Sequence, residues 1–221
     1  MLRGTLALLV MSLSAGMGHA GAWPREKGSG FASVSVRLGW PQNLEEWASS
    51  DPTSEYRTAY LEYGLTDRFM IGIDFGNSVS GDTKAIAFLQ YPLRDQDDGP
   101  KIAVQFGFGE ISKERVVRPG LAAGWGLEKG WLSIESFMEL RPDSGKADYK
   151  VDLTWGRNLA MDRKFIVQLQ TGVPDGDPPF ARIAPSVVFP ITQHYMLETG
   201  ATWGVHSDSS MGMKVELWAE F

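Results

Sequence analysis

Met211-Gly-Met-Lys-Val-Glu-Leu-Trp-Ala-Glu-Phe221 closes the chain. Met211, Met213, Val215, Leu217, Ala219 and Phe221 fall on one side of an extended backbone. Gly212, Lys214, Glu216, Trp218 and Glu220 fall on the other. Successive side chains of a strand point to opposite faces, so this run reads as a strand with one apolar and one mainly polar face. The same period of two returns upstream, in residues 32–40, 58–63, 69–75, 84–91, 102–108, 121–127, 132–140, 149–155, 165–170 and 195–203. The segment from Arg182 to Phe189 contains Pro185 and apolar residues at both parities, so its phase stays open. Together these make about 12 strands, each close to the roughly 9 to 11 residues that a tilted bilayer crossing requires.

The chain has 221 residues, with 27 acidic against 21 basic side chains and a net charge of -6. That balance excludes the broad basic footprint of a nucleic-acid binder. Cysteine is absent, which excludes disulfides, thiolate catalysis, cysteine metal sites and a lipoprotein anchor. Arg3, the short apolar core Thr5 to Leu13 and the small residues Ala20-Gly21-Ala22 read as a signal peptide over residues 1–20. Cleavage after Ala20 or after Ala22 fits, leaving a barrel over residues 21–221. Trp23 to Gly30 reads as a polar, flexible lead. No later stretch approaches the roughly 18 apolar residues of a membrane helix. An exported chain of this kind enters a membrane only as a closed barrel, because lipid satisfies no backbone polar group.

A strand of this pattern ending on an aromatic, in an exported chain, resembles the C-terminal strand of bacterial outer-membrane β-barrel proteins. The run Tyr63-Gly-Leu-Thr-Asp-Arg-Phe-Met-Ile-Gly-Ile-Asp74 resembles their short periplasmic hairpins. The resemblance implies an all-β, single antiparallel transmembrane barrel in a Gram-negative outer membrane. It also implies contact with outer-membrane lipid and lipopolysaccharide, and an insertion signal at Phe221 read by the barrel-assembly machinery. An even strand count puts both termini in the periplasm. External loops then centre on residues 41–55, 77–83, 110–117, 141–146, 173–180 and 205–210. Trp40, Tyr63, Tyr91, Trp125, Tyr149, Trp155, Tyr195 and Trp203 lie near strand ends, as in interfacial girdles. A soluble barrel shares the alternation with the other face wet. Here the polar face mixes glycine, glutamine and charge, which is unsuited to a dry core and favours lipid outside.

That face collects Arg37, Glu62, Asp74, Lys84, Glu135, Glu139, Lys150, Asp152, Arg182, Glu198, Lys214 and Glu216. In a barrel wall they project into one lumen. They then line a hydrated pore that selects solutes by charge, or they neutralise one another and fill a closed interior. The resemblance favours the first, a narrow passive channel for small solutes. A closed structural barrel beside an envelope export system is the alternative. A lipid hydrolase is a third reading, because outer-membrane lipases place a histidine near a nucleophilic serine. His206-Ser207-Asp208-Ser209-Ser210 is a run of turn formers and carries no catalytic assignment. Asp95 to Asp98 lacks the ligand spacing of a calcium loop. Zinc, phosphate-loop and nucleotide motifs are absent, so no cofactor is expected.

Overall fold

The structure, a computed structural model, describes residues 21–47, 49–96 and 98–221. The leader expected over residues 1–20 lies outside these. Twelve strands build the wall: β1 (Gly30–Pro41), β2 (Ser54–Gly64), β3 (Met70–Ser78), β4 (Thr83–Arg94), β5 (Lys101–Ile111), β6 (Glu114–Leu127), β7 (Gly130–Arg141), β8 (Lys146–Asn158), β9 (Lys164–Val173), β10 (Phe180–Pro190), β11 (Tyr195–His206) and β12 (Ser210–Glu220). Every strand pairs antiparallel with its sequence neighbours, and β1 pairs with β12 from Phe31↔Glu220 to Pro41↔Ser210. The sheet is therefore a closed barrel with no free edge, and every strand has a hydrogen-bonded neighbour on both sides. The start of β1 and the end of β12 lie on one rim, here the lower; the longest connection, residues 42–53 with its turn of 3-10 helix Leu44–Glu46, lies on the upper.

Two sequence expectations change. Residues 110–117 are not a loop: β5 runs to Ile111 and β6 starts at Glu114. The connection is Ser112-Lys113, with φ of 49° and 70°. Two central residues with positive φ are what a two-residue hairpin demands, and neither is the Asn or Gly that usually announces it. The phase of β10 is also settled. Arg182, Ala184, Ser186 and Val188 face inward and Ile183, Pro185, Val187 and Phe189 outward, with a register shift at Ala181/Arg182.

The outward face is apolar around the whole ring. Val34, Val36, Phe75, Leu89, Phe106, Phe108, Leu121, Val151, Met213 and Val215 are all exposed, Phe106 to 59%. A contiguous apolar belt of this extent far exceeds the few hundred Å² that water-soluble monomers tolerate, so hydrocarbon is its natural solvent. Tyr63, Tyr91, Trp125, Trp155 and Tyr195 sit towards the lower strand ends, and Trp40, Tyr149 and Trp203 towards the upper, which makes two aromatic girdles.

Inside, the lower half holds an apolar cluster of Phe31, Trp131, Ile166, Val188 and Trp218, with Trp23, Tyr60 and Met196 packed against it. The inner face expected to be mainly polar is thus apolar in part. Glycine makes room for it: a Cβ on Gly156 would collide with the Trp131 ring.

Candidate functional site: the lumen

All twelve charged residues named from the sequence occupy inward-facing positions, and the structure sorts them into separate groups. Asp74 on β3 accepts from Lys84 Nζ at 2.8 Å and from Arg118 at 2.6 Å. Arg118 also reaches Gln105 and lies over the Phe88 and Phe137 rings. On β11 and β12, Lys214 bridges Glu198 at 2.5 Å and Glu216 at 3.1 Å. Lys150 pairs with Glu139 across the β7–β8 ladder at 2.9 Å. Arg182 reaches Asp208 in the β11–β12 turn at 2.7 Å. Glu62 is held by Arg25 at 3.0 Å and by the Tyr60 hydroxyl. Charges taken from bulk water need such partners, and these pairs supply them.

Three of the twelve stand outside these pairs. Arg37, whose buried Nε has no partner among the described atoms, faces Arg182, Glu216 and Asp152. Asp152 lies directly across from Glu135 in the β7–β8 register. Glu135 makes no ion pair with a described side chain. Its Oε1 instead accepts from the Gly21 amide at 2.6 Å.

That hydrogen bond belongs to a feature the sequence did not suggest. Gly21 to Ser29 is no loose lead: it enters the lumen from the lower rim. Gln90 donates to the Gly21 carbonyl at 2.6 Å, and Ala22 is fully buried. The Trp23 ring lies where a Cβ on Gly124 would stand. Gly28 donates to the Gly64 carbonyl at 2.8 Å, tying the strap to the wall. Above it is a cavity of about 320 Å³ whose lining includes Gly21, Arg37, Tyr60, Glu62, Asp74, Arg118, Glu135, Gln168, Gln170, Glu198, Lys214 and Glu216. Hydroxyls and amides fill the spaces between charges: Ser35 bonds Thr58 at 2.6 Å and Gln168 bonds Thr154 at 3.1 Å. Such a lining can pass hydrated polar solutes and offers hydrogen bonds along the way.

Arg118 is the principal residue that the sequence reading missed. Counting back by twos from Gly120 and Ala122 places it on the inner face, but Pro119 and the loop assigned just before it cut that count short. Arg141, bound to Asp148 at 2.7 Å near the upper rim, was missed likewise. Asp208, outside the membrane span, sits below the usual carboxylate range. Partial burial opposes its charge, but hydrogen bonds from Ser210 and Arg182 outweigh that. His206 ends β11 and Ser207 opens the next turn at φ 48°, both exposed. Among the described residues no group of three His, Asp or Glu side chains could hold a metal.

No family model and no curated protein matches the sequence. Solved structures match the fold. The NanC porin superposes with a TM-score of 0.68 at 10% identity, over 86% of this chain and 100% of its own. The fold is that of an outer-membrane porin barrel. The KdgM porin gives 0.61 at 7% identity over 86% and 99% of the two chains. The COG4313 outer membrane channel from Pseudomonas putida F1 gives 0.56 at 12% identity over 89% and 97%. At these identities it is the barrel that is shared, not the residues that line it.

Proposed function

We propose that this porin barrel is an integral outer-membrane channel through which small hydrophilic solutes pass passively, filtered by the charges of the lumen. One observation carries the reading: an apolar wall encloses a cavity lined by paired charges, amides and hydroxyls. The named neighbours, porins and channels rather than enzymes, support it, and the KdgM porin has been solved in complex with disordered oligogalacturonate. In this chain Arg37, Arg118 and Lys214 line the lumen together with Glu62, Asp74, Glu135, Glu198 and Glu216, so the wall is not of one sign. Because most of these charges are paired, they filter polar solutes with only a weak preference of ionic sign. The lower rim, where β1 starts and β12 ends, faces the periplasm. Phe221, exposed at the end of the closing seam, is the residue presented to the barrel-assembly machinery.

Planar-bilayer recording of the purified, folded protein tests this. Small discrete conductance steps with a weak preference between potassium and chloride are expected. A folded protein that never conducts, with residues 21–28 in place or removed, would remove the channel and leave the closed structural or assembly barrel.

A further inference from the structure

The strap gives the Glu135 carboxylate its hydrogen bond, and the atom that donates it is the backbone nitrogen of Gly21, at 2.6 Å. Gly21 follows Ala20, one of the two bonds at which the leader is expected to be cut, with Gly18 and Ala20 as the small residues on the leaving side. We propose that the chain is processed between Ala20 and Gly21, and that the α-ammonium so formed is the counter-ion of Glu135, seating residues 21–29 as an internal plug of the lumen. This rests on the channel reading for its consequence, though not for its chemistry. Hydrolysis of the Ala20–Gly21 amide by a leader peptidase consumes one water. Oxygen goes to the Ala20 acyl carbon, which leaves as a carboxylate, and the Gly21 nitrogen keeps its Cα and gains protons to become an ammonium.

Four observations converge on that bond. Among the described residues Glu135 has no ion-pair partner, and Asp152 stands directly opposite, so the site is short of positive charge. Two wall cations of this part of the lumen are committed elsewhere, Arg118 to Asp74 and Lys150 to Glu139. The fit at Gly21 is close: a Cβ there would lie 3.3 Å from the Glu135 carboxyl carbon. The Gly21 carbonyl is held by Gln90 and Ala22 is fully buried, so both residues belong to the folded protein and not to the leader. Cleavage after Ala22 would discard these contacts and leave Glu135 without a donor. An ion pair to a buried carboxylate is stronger than the amide hydrogen bond it replaces. Arg25 on Glu62, Trp23 against Gly124 and Gly28 on Gly64 then hold the remainder of the plug below the cavity.

Two measurements test it on the full-length protein expressed with its leader. Amino-terminal sequencing of the protein extracted from outer membranes should begin Gly-Ala-Trp-Pro; a start at Trp23 overturns the proposal. Single-channel recording should then compare the wild type with Glu135→Gln and with a chain whose leader joins directly to Ser29. Both variants are expected to open several-fold more often or wider than the wild type. Wild-type and plug-deleted proteins that conduct equally would overturn the plug while leaving the channel standing. Silence from all three would overturn both, since the strap would then close no path.

Discussion

The lower and upper halves of the lumen solve one problem in two ways. Both are built from the inward residues of the same twelve strands, and both must fill space that the wall encloses. The lower half does so largely with rings: Phe31, Trp131 and Trp218 pack with Ile166 and Val188, Phe31 edge-on to Trp218 at 6.0 Å, and the Glu62–Arg25 pair is set against them. The upper half does so with charge, as Asp74 is shared by Lys84 and Arg118 and Arg182 answers Asp208. Packed rings exclude water and need close fit; paired charges tolerate water and need geometry. A wall that is uniform outside can thus carry a tight end and a wet end within.

The contrast is sharpest at Trp131. Replacing this fully buried ring by alanine should cost about 3–5 kcal/mol, read from reversible urea unfolding in detergent or lipid vesicles. A loss below about 1 kcal/mol would show that the lower half is not packed. Asp74→Asn makes the corresponding break above. It deprives Lys84 and Arg118 of their shared carboxylate, and in a dry interior such a loss reaches about 3–5 kcal/mol. Lys84 keeps 20% of its side chain accessible in the wet end. About 1–3 kcal/mol is therefore expected in the same titration. A cost matching Trp131→Ala would mean that water does not reach the charges and would erase the distinction.

The smallest effect belongs to the upper rim. Because the folded Asp208 carboxyl titrates below its unfolded value, its link to Arg182 stabilises at every pH above the ordinary carboxylate value of about 3.9 and fades only as pH falls below that. The rim is open to solvent, so the contribution stays under about 1 kcal/mol. The stability difference between wild type and Asp208→Asn should be flat from neutral pH to about pH 5 and shrink only in stronger acid. A difference already gone at pH 6 would contradict the pairing.

Much of this was legible from residue order alone, for a definite reason. Alternation fixes which face a side chain joins, so Lys214 and Glu216 could be set inside and Val215 outside from the last strand by itself. Alternation does not fix what a side chain meets across the lumen. Nothing in the run around Asp74 says that Lys84 and Arg118, from two other strands, converge on it. Nor does period two weigh the inner face along its length: Trp131, Phe31 and Trp218 are widely separated in sequence and become one cluster only when the ring closes. Phase failed at β10 because Pro185 and Val188 blur the contrast between faces. The Ser112-Lys113 turn escaped because its positive φ values fall on residues with no special freedom there. The strap escaped for a different reason. Its short polar sequence has no period, and its place is decided by Glu135 and Gly124, more than a hundred positions downstream.

The β1–β12 seam pairs Phe31 with Glu220, so the first strand waits for the last before either can finish its ladder. Contacts between such distant parts of a chain form late, after the loop between them has been ordered. The ribosome and the export pore must therefore release the whole polypeptide before the cylinder can shut. Throughout that interval the first and last strands are unpaired edges, and a carrier that shields them would be needed until the ring is complete.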